Sequence, residues 1–199
     1  MARPRLDHVR KAQIVTAAID VMNDRGYANA RVADIAEAAG TSPAAILYWF
    51  SGKEELLNHA LLQHEIEFHD KHTARADRQS SSSDRLRFLF KAMVRHYHWA
   101  LWMELCVLAL RDESAAATRN RLDRRWRAAL RKVINEGQES GEFIAGNADD
   151  IMFILAGLLD GFAPLLAVKA KGVTRARVER VWLSEASRLL GPNFSTRSL

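Results

Sequence analysis

The stretch VADIAEAAGTSPAAILYWF, Val32 to Phe50, decides the fold. Val32, Ile35, Ala36 and Ala39 stand at i, i+3, i+4 and i+7, the apolar face of a short helix. Gly40 ends that helix. Ser42 then offers a side-chain oxygen as N-cap, and Pro43 has its φ pre-set for the first helical position. A further helix runs to Trp49 and closes at Phe50. Two short helices joined by a tight turn bearing a glycine form a helix-turn-helix.

Working outward, a preceding helix is expected from Arg10, with Ile14, Ala18 and Val21 on one face and Gly26 at its left-handed end. Residues 1–9 are expected to form a loose arm. On the other side, Ser51-Gly52-Lys53-Glu54 reads as a capping box, with Ser51 at the cap and Glu54 reaching back. It opens a fourth helix with Leu57, Leu61, His64 and Phe68 along one side. Beyond it, His72 to Asp84 is polar, holds four consecutive serines (80–83) and reads as a flexible link. Five helical segments are expected after that, near 84–98, 99–111, 115–137, 148–168 and 174–190. The fold class is therefore all-α with about nine helices. A three-helix helix-turn-helix domain occupies residues 1–53, and a helical domain occupies residues 54–199.

The composition agrees. The chain has 199 residues, 48% hydrophobic, with only ten glycines and four prolines, a balance that favours packed helices over disorder or sheet. A net charge of +5 suits nucleic acid without proving it. The single cysteine, Cys106, excludes an intrachain disulfide and fits a reducing, cytoplasmic setting. The first residues, Met1-Ala2-Arg3-Pro4-Arg5, lack the apolar core of a signal peptide. The most apolar run, Ile151 to Val168, contains Asp160 and Pro164 and reads as a buried interface helix, not a membrane span.

The residues Ala33-Asp34-Ile35-Ala36, Ala39-Gly40-Thr41-Ser42, Ile46, Phe50 and Lys53-Glu54 followed by Leu56-Leu57 resemble the TetR-type transcription regulators. The second half resembles the C-terminal domain of their BetI-type branch. Its cues are Leu101-Trp102-Met103-Glu104-Leu105, Ala109-Leu110-Arg111-Asp112, Glu136-Gly137 with Gly141-Glu142-Phe143, and Leu158-Leu159-Asp160-Gly161. The resemblance implies a homodimer through the last two helices. It also implies a double-stranded DNA operator and a small-molecule effector, most commonly with repression as the outcome. Two positions depart from the family's pattern. Leu47 stands where Tyr is usual, and Arg31 stands where a Thr commonly caps helix two, leaving that cap to Asn29 or water.

The third helix is expected to enter the major groove of DNA. Pro43, Ala44 and Ala45 carry no donor or acceptor on their side chains and can make only apolar contacts, for instance with a thymine methyl. Ser42, Leu47, Tyr48 and Trp49 complete the helix's DNA-facing set. Lys53 at the start of helix four suits a phosphate, and Arg31 can reach backbone or base. For Tyr48 and Trp49 a plain packing role stays open. Arg3 and Arg5 either enter a minor groove or belong to a disordered tail.

On the effector side, Trp99, Trp102, Trp126 and Phe153 are the candidate pocket residues, with ordinary core packing as the alternative. BetI-type relatives respond to choline, which puts a quaternary ammonium ligand among the candidates; no cage is legible in the sequence. Asp160, a charge inside an apolar helix, needs a partner: an Arg across the dimer, or the pocket. Gly157 and Gly161 share one face and suit either a tight dimer seam or flexibility before Pro164. The basic run from Arg119 to Lys132 reads as the solvated face of an amphipathic helix, with Asp123 and Arg127 as an i, i+4 pair.

Rival functions are weaker. Glu65, His69 and His72 share a helix face with metal-ligand chemistry, and His96 and His98 lie nearby, but a polar helix end explains them as well. No metal or other cofactor is expected. No G-x-S-x-G, P-loop or H-E-x-x-H motif supports an enzyme. An effector-independent DNA-binding dimer is the main alternative. The expected mechanism is a population shift: the dimer holds two recognition helices about one DNA turn, roughly 34 Å, apart. An effector preferring another spacing lowers DNA affinity.

Overall fold

A computed structural model describes the backbone of residues 3–96 and 99–194 and the side chains of 10–95 and 99–194. Among the described residues the structure is all-α. Its helices are α1 (Arg3–Arg25), α2 (Val32–Ala38), α3 (Pro43–Trp49), α4 (Lys53–Ala76), α5 (Ser82–His96), α6 (Trp99–Leu108), α7 (Glu113–Glu139), α8 (Ala148–Ala167) and α9 (Arg175–Leu190). The chain divides into two compact units that interleave in sequence. One comprises residues 1–67 and 100–122, the other residues 68–99 and 123–199.

The first unit is built as the apolar spacing demands. Ile14, Ala18, Val21 and Met22 of α1, Ile35 and Ala36 of α2, and Ile46 of α3 are buried in one cluster. Phe50, Leu57 and Leu61 join it, with Leu101 and Leu105 from α6. Gly40 turns the chain between α2 and α3 at φ +61°, a conformation that an L side chain would strain. The helix-turn-helix is thereby locked from its inner face.

In the second unit α8 and α9 pack together, and α5 packs on α9. Phe90 and Trp182 stack with ring centres 4.1 Å apart, and the Trp182 indole N–H donates to the Leu155 carbonyl. Burying a Trp with its N–H satisfied gains the full apolar contact without an orphaned donor. By length and composition α8 could cross a membrane. Yet Ile151, Met152, Leu155, Ala156, Leu159 and Ala163 are buried against this unit's own core.

Four local expectations need correction. First, α1 begins at Arg3, not Arg10, because no helix breaker follows Pro4 and a proline is tolerated in a first turn. The side chains of residues 1–9, and with them the expected reach of Arg3 and Arg5, lie outside the described residues. Second, the serine run is no flexible link. α4 continues to Ala76, and the hydroxyls of Ser80 and Ser81 both donate to Asp84 at 2.9 Å. The N–H groups of Ser82 and Ser83 donate to the Glu142 carboxylate at 2.8 and 2.9 Å. Third, the carboxylate reaching back to Ser51 is Glu55, not Glu54. It accepts from the Ser51 N–H at 2.7 Å and the hydroxyl at 2.6 Å. The helix starts at Lys53, so Glu55 occupies the third position. Fourth, Asn29 does not cap α2. Its amide donates to the Arg25 carbonyl at 3.1 Å, and Arg31 at the N-cap makes no side-chain cap bond.

Candidate nucleic-acid interface

Helix α3 is held by its cap and its inner face. The Ser42 hydroxyl accepts from the Ala45 N–H at 3.2 Å. Ile46 points into the core, Trp49 is half-buried against it, and Phe50 is buried. With those three turned inward, the opposite side must face out. Ser42, Pro43 and Ala44 are exposed, Leu47 is 53% exposed and Tyr48 is 80% exposed. A large aromatic this open on a seven-residue helix is a feature that packing does not explain. Tyr48 meets Trp49 edge-on at 5.1 Å, so Trp49 buttresses the exposed ring.

Around this face the cations have defined places. The Lys53 ammonium donates to the Ala28 carbonyl at 2.8 Å, which ties the start of α4 to the α1–α2 link and leaves further donors on the same nitrogen. Arg31 is exposed at the mouth of α2. Arg25 pairs with Asp34 at 2.7 Å across α1 and α2. Tyr27 anchors the same link: its hydroxyl donates to Asn58 at 2.9 Å and its N–H donates to the Glu104 carboxylate. Burial, with Glu54 and Asp112 nearby, pushes the Tyr27 hydroxyl up to about 12, so it stays a donor. The Glu104 contact had no legible signal, because nothing in local spacing pairs residues so far apart.

The four candidate effector residues have different surroundings. Trp99 is buried and its indole N–H donates to the Met93 carbonyl at 3.0 Å. Trp126 is buried beside the His69 ring, with centres 5.7 Å apart. Trp102 is half-buried and lies under the Arg119 guanidinium at 5.5 Å. Phe153 is 67% exposed on α8, with the Arg127 guanidinium 5.4 Å from its ring centre. An open ring on a helix surface does not enclose a ligand. Arg127 also pairs with Asp123 at 2.9 Å and with Asp160 at 3.3 Å. Asp160 thus pairs with an arginine of its own chain.

Near Trp126 the second unit gathers further aromatic and histidine rings, which the local sequence places at a polar helix end. Phe68 and His72 lie 4.1 Å apart, and the His72 Nδ1 is 2.7 Å from the Phe68 carbonyl. His69 and His72 are buried. Burial, with Arg125 and His72 adding repulsion, pulls His69 down to about 4, so its ring is neutral at pH 7. Glu65, the third member of that helix face, is also buried. Among the described residues no three His, Cys, Asp or Glu side chains converge to hold a metal ion. His98 and the His96 side chain lie outside the described residues.

Comparison with known proteins fits a DNA-binding regulator built on this fold. Residues 14–60 match the model of bacterial regulatory proteins of the tetR family. Residues 82–191 match the BetI-type transcriptional repressor C-terminal model. The regulator TtgR of Pseudomonas putida is 30% identical over 161 residues, which cover 72% of this chain and 74% of TtgR. BetI 1 of Chromohalobacter salexigens is 35% identical over 63 residues, about a third of each chain. Among solved structures, a transcriptional regulator from Saccharomonospora viridis in complex with choline superposes with a TM-score of 0.82. It is 23% identical, and the match covers 90% of this chain and 96% of that one. A TetR regulator from Haloarcula marismortui gives 0.83 at 21% identity, over 92% of this chain and 99% of that one. The chain belongs to the TetR family of helix-turn-helix transcriptional regulators, with a C-terminal domain of the BetI type.

Proposed function

We propose that the chain acts in the cytoplasm as a homodimeric repressor, released from a DNA operator by a small molecule that binds its C-terminal domain. Residues 1–53 grip DNA in this reading, and residues 54–199 bind the effector and the second copy. The observation that carries it is the outer face of α3, where Leu47 and Tyr48 stand open while Ile46 and Phe50 are locked in the core.

The contacts divide by chemistry. Lys53 and the Tyr48 hydroxyl suit phosphates and hold the register. Pro43, Ala44, Ala45 and Leu47 approach the floor of the groove, and Arg31 reaches its edge. Ser42 keeps α3 capped at the DNA surface, and Trp49 supports the Tyr48 ring.

Effector binding draws support from the solved regulator that holds choline, whose fold this chain shares. Trp102 on α6 is half-buried and offers aromatic surface of the kind that binds apolar or cationic small molecules, with Trp99 and Trp126 as candidates among the buried rings. Glu104, also on α6, accepts the Tyr27 N–H, so a shift of α6 acts directly on the α1–α2 link. The dimer draws support from α8. Phe153, Ile154, Gly157, Gly161 and Leu165 are exposed there, with Val168 at its C-cap, an apolar stripe that a second copy would cover. In this reading Phe153 serves that stripe, and the other three aromatic candidates serve the effector.

The test is salt-dependent binding to the DNA upstream of this protein's own gene, with a scrambled duplex as control. Sequence-preferring binding that weakens steeply with salt is the expected result. Equal, weak binding to both duplexes and to every member of a random duplex library would overturn the reading.

A further inference from the structure

We propose that this protein reads its operator through thymine methyl groups, and that Leu47 is the residue that sets the preference. The inference rests on the DNA-binding reading above and goes beyond it, from which helix binds to which chemical group on the base pairs is read.

The rotation of α3 about its axis leaves little choice of reading side chains. Ile46 and Phe50 are buried and Trp49 packs on the core, so Pro43, Ala44, Leu47 and Tyr48 form the outer face. That face is almost without hydrogen-bonding capacity. Proline has no N–H, and the alanine and leucine side chains carry neither donor nor acceptor. The Ser42 hydroxyl is engaged with the Ala45 N–H at 3.2 Å. The Ser42 O–H at the start of the helix and the Tyr48 hydroxyl, at the end of a ring that is 80% exposed, are the polar groups that remain.

The major groove distinguishes base pairs by donors, by acceptors and by one apolar group, the C5-methyl of thymine. A polar recognition helix uses the first two. This one, with hydroxyls only at Ser42 and Tyr48, relies chiefly on the third. Apolar contact with a thymine methyl removes both surfaces from water, a favourable exchange. The same apolar face pressed on guanine or cytosine would strip water from O6, N7 or N4 without replacing its hydrogen bonds, which is costly. An A·T pair also presents N7, N6 and O4, so the methyl is the group that tips the balance toward thymine. Among the outward apolar side chains Leu47 is the longest, and at 53% exposure half of its surface is free to be covered. Ala44 and Pro43 lie beside it on the same face and admit close approach of the groove floor.

The test uses the full chain and a random duplex library to select bound sequences. Each thymine of the selected half-site is then replaced singly by deoxyuridine, which removes only the methyl. At one or more positions affinity should fall about three- to tenfold, the worth of one buried methyl group. Leu47→Ala should weaken binding to the thymine duplex by a similar factor and abolish the deoxyuridine penalty at that position. Such non-additivity marks a direct contact. Leu47 lies outside the core, so the variant should fold, and the deoxyuridine series on the unaltered protein needs no variant at all. Selection of a defined sequence whose affinity is indifferent to every deoxyuridine substitution would overturn this inference and leave the regulator reading standing. A penalty that persists unchanged in Leu47→Ala would remove Leu47 from the role. Failure to select any sequence would overturn both.

Discussion

His69 shows how one side chain ties stability to pH. Its ring sits in the core beside Trp126, and burial holds it down to about 4 against an ordinary value near 6.5. Between those two values the unfolded chain binds the proton and the folded chain does not. Stability therefore rises with pH across that window and is lost as pH falls through it. The full difference corresponds to about 3 kcal/mol. Unfolding followed from pH 7 to pH 4 should show this slope, and His69→Gln should flatten it. An unchanged slope would assign the acid sensitivity elsewhere. Lys53 is the proposed phosphate contact. It donates to the Ala28 carbonyl, and in the proposed reading its other N–H groups serve a phosphate. Lys53→Ala should lower DNA affinity evenly across sequences and reduce the salt slope by about one. A variant with the wild-type slope would show that Lys53 serves the α1–α2 link alone.

At the scale of the element, the start of α5 depends on a residue far away in sequence. The Glu142 carboxylate accepts from both Ser82 and Ser83 N–H groups, as an N-cap side chain would. Partial burial would raise its pKa, but the bonds from Ser83 and Ser82 outweigh that and hold it below the usual carboxylate range. Its contribution is present above the unfolded value and lost as pH falls through the folded one. Glu142→Gln keeps the shape but loses the charge at a helix N-terminus. It should cost about 1 kcal/mol in urea unfolding at pH 7 and much less at pH 3. Equal losses at both pH values would mean packing, not capping, is at stake. Gly137 permits this arrangement, since a Cβ there would run into the Phe143 ring that follows Glu142.

At the scale of the whole molecule, α8 carries the prediction. A Cβ built on Gly157 or Gly161 meets nothing of its own chain within 4 Å, so neither glycine is needed for packing inside one copy. Gly157→Leu should leave the thermal unfolding of one copy intact or slightly raised, because leucine favours helix over glycine. It should drive the protein to monomer in sedimentation at micromolar concentration and abolish operator binding. A variant that remains dimeric would place the seam on another face.

The sequence by itself determined the helices and the recognition motif. The apolar period of 3.6, the Ser42-Pro43 start and the glycine turns are local signals, and each acts within a few residues of where it is read. The burial of Ile14, Ala18, Ile35, Ile46 and Phe50 follows from that period, and so does the outward face of α3. Tertiary structure decided which distant groups meet. Glu142 reaches the serines, Glu104 reaches Tyr27, and Arg127 reaches Asp160. It also turned Phe153 outward and buried His69 and His72. Those outcomes depend on how helices far apart in the chain pack, and a side chain's partner across such a contact leaves no mark on the spacing of its own helix.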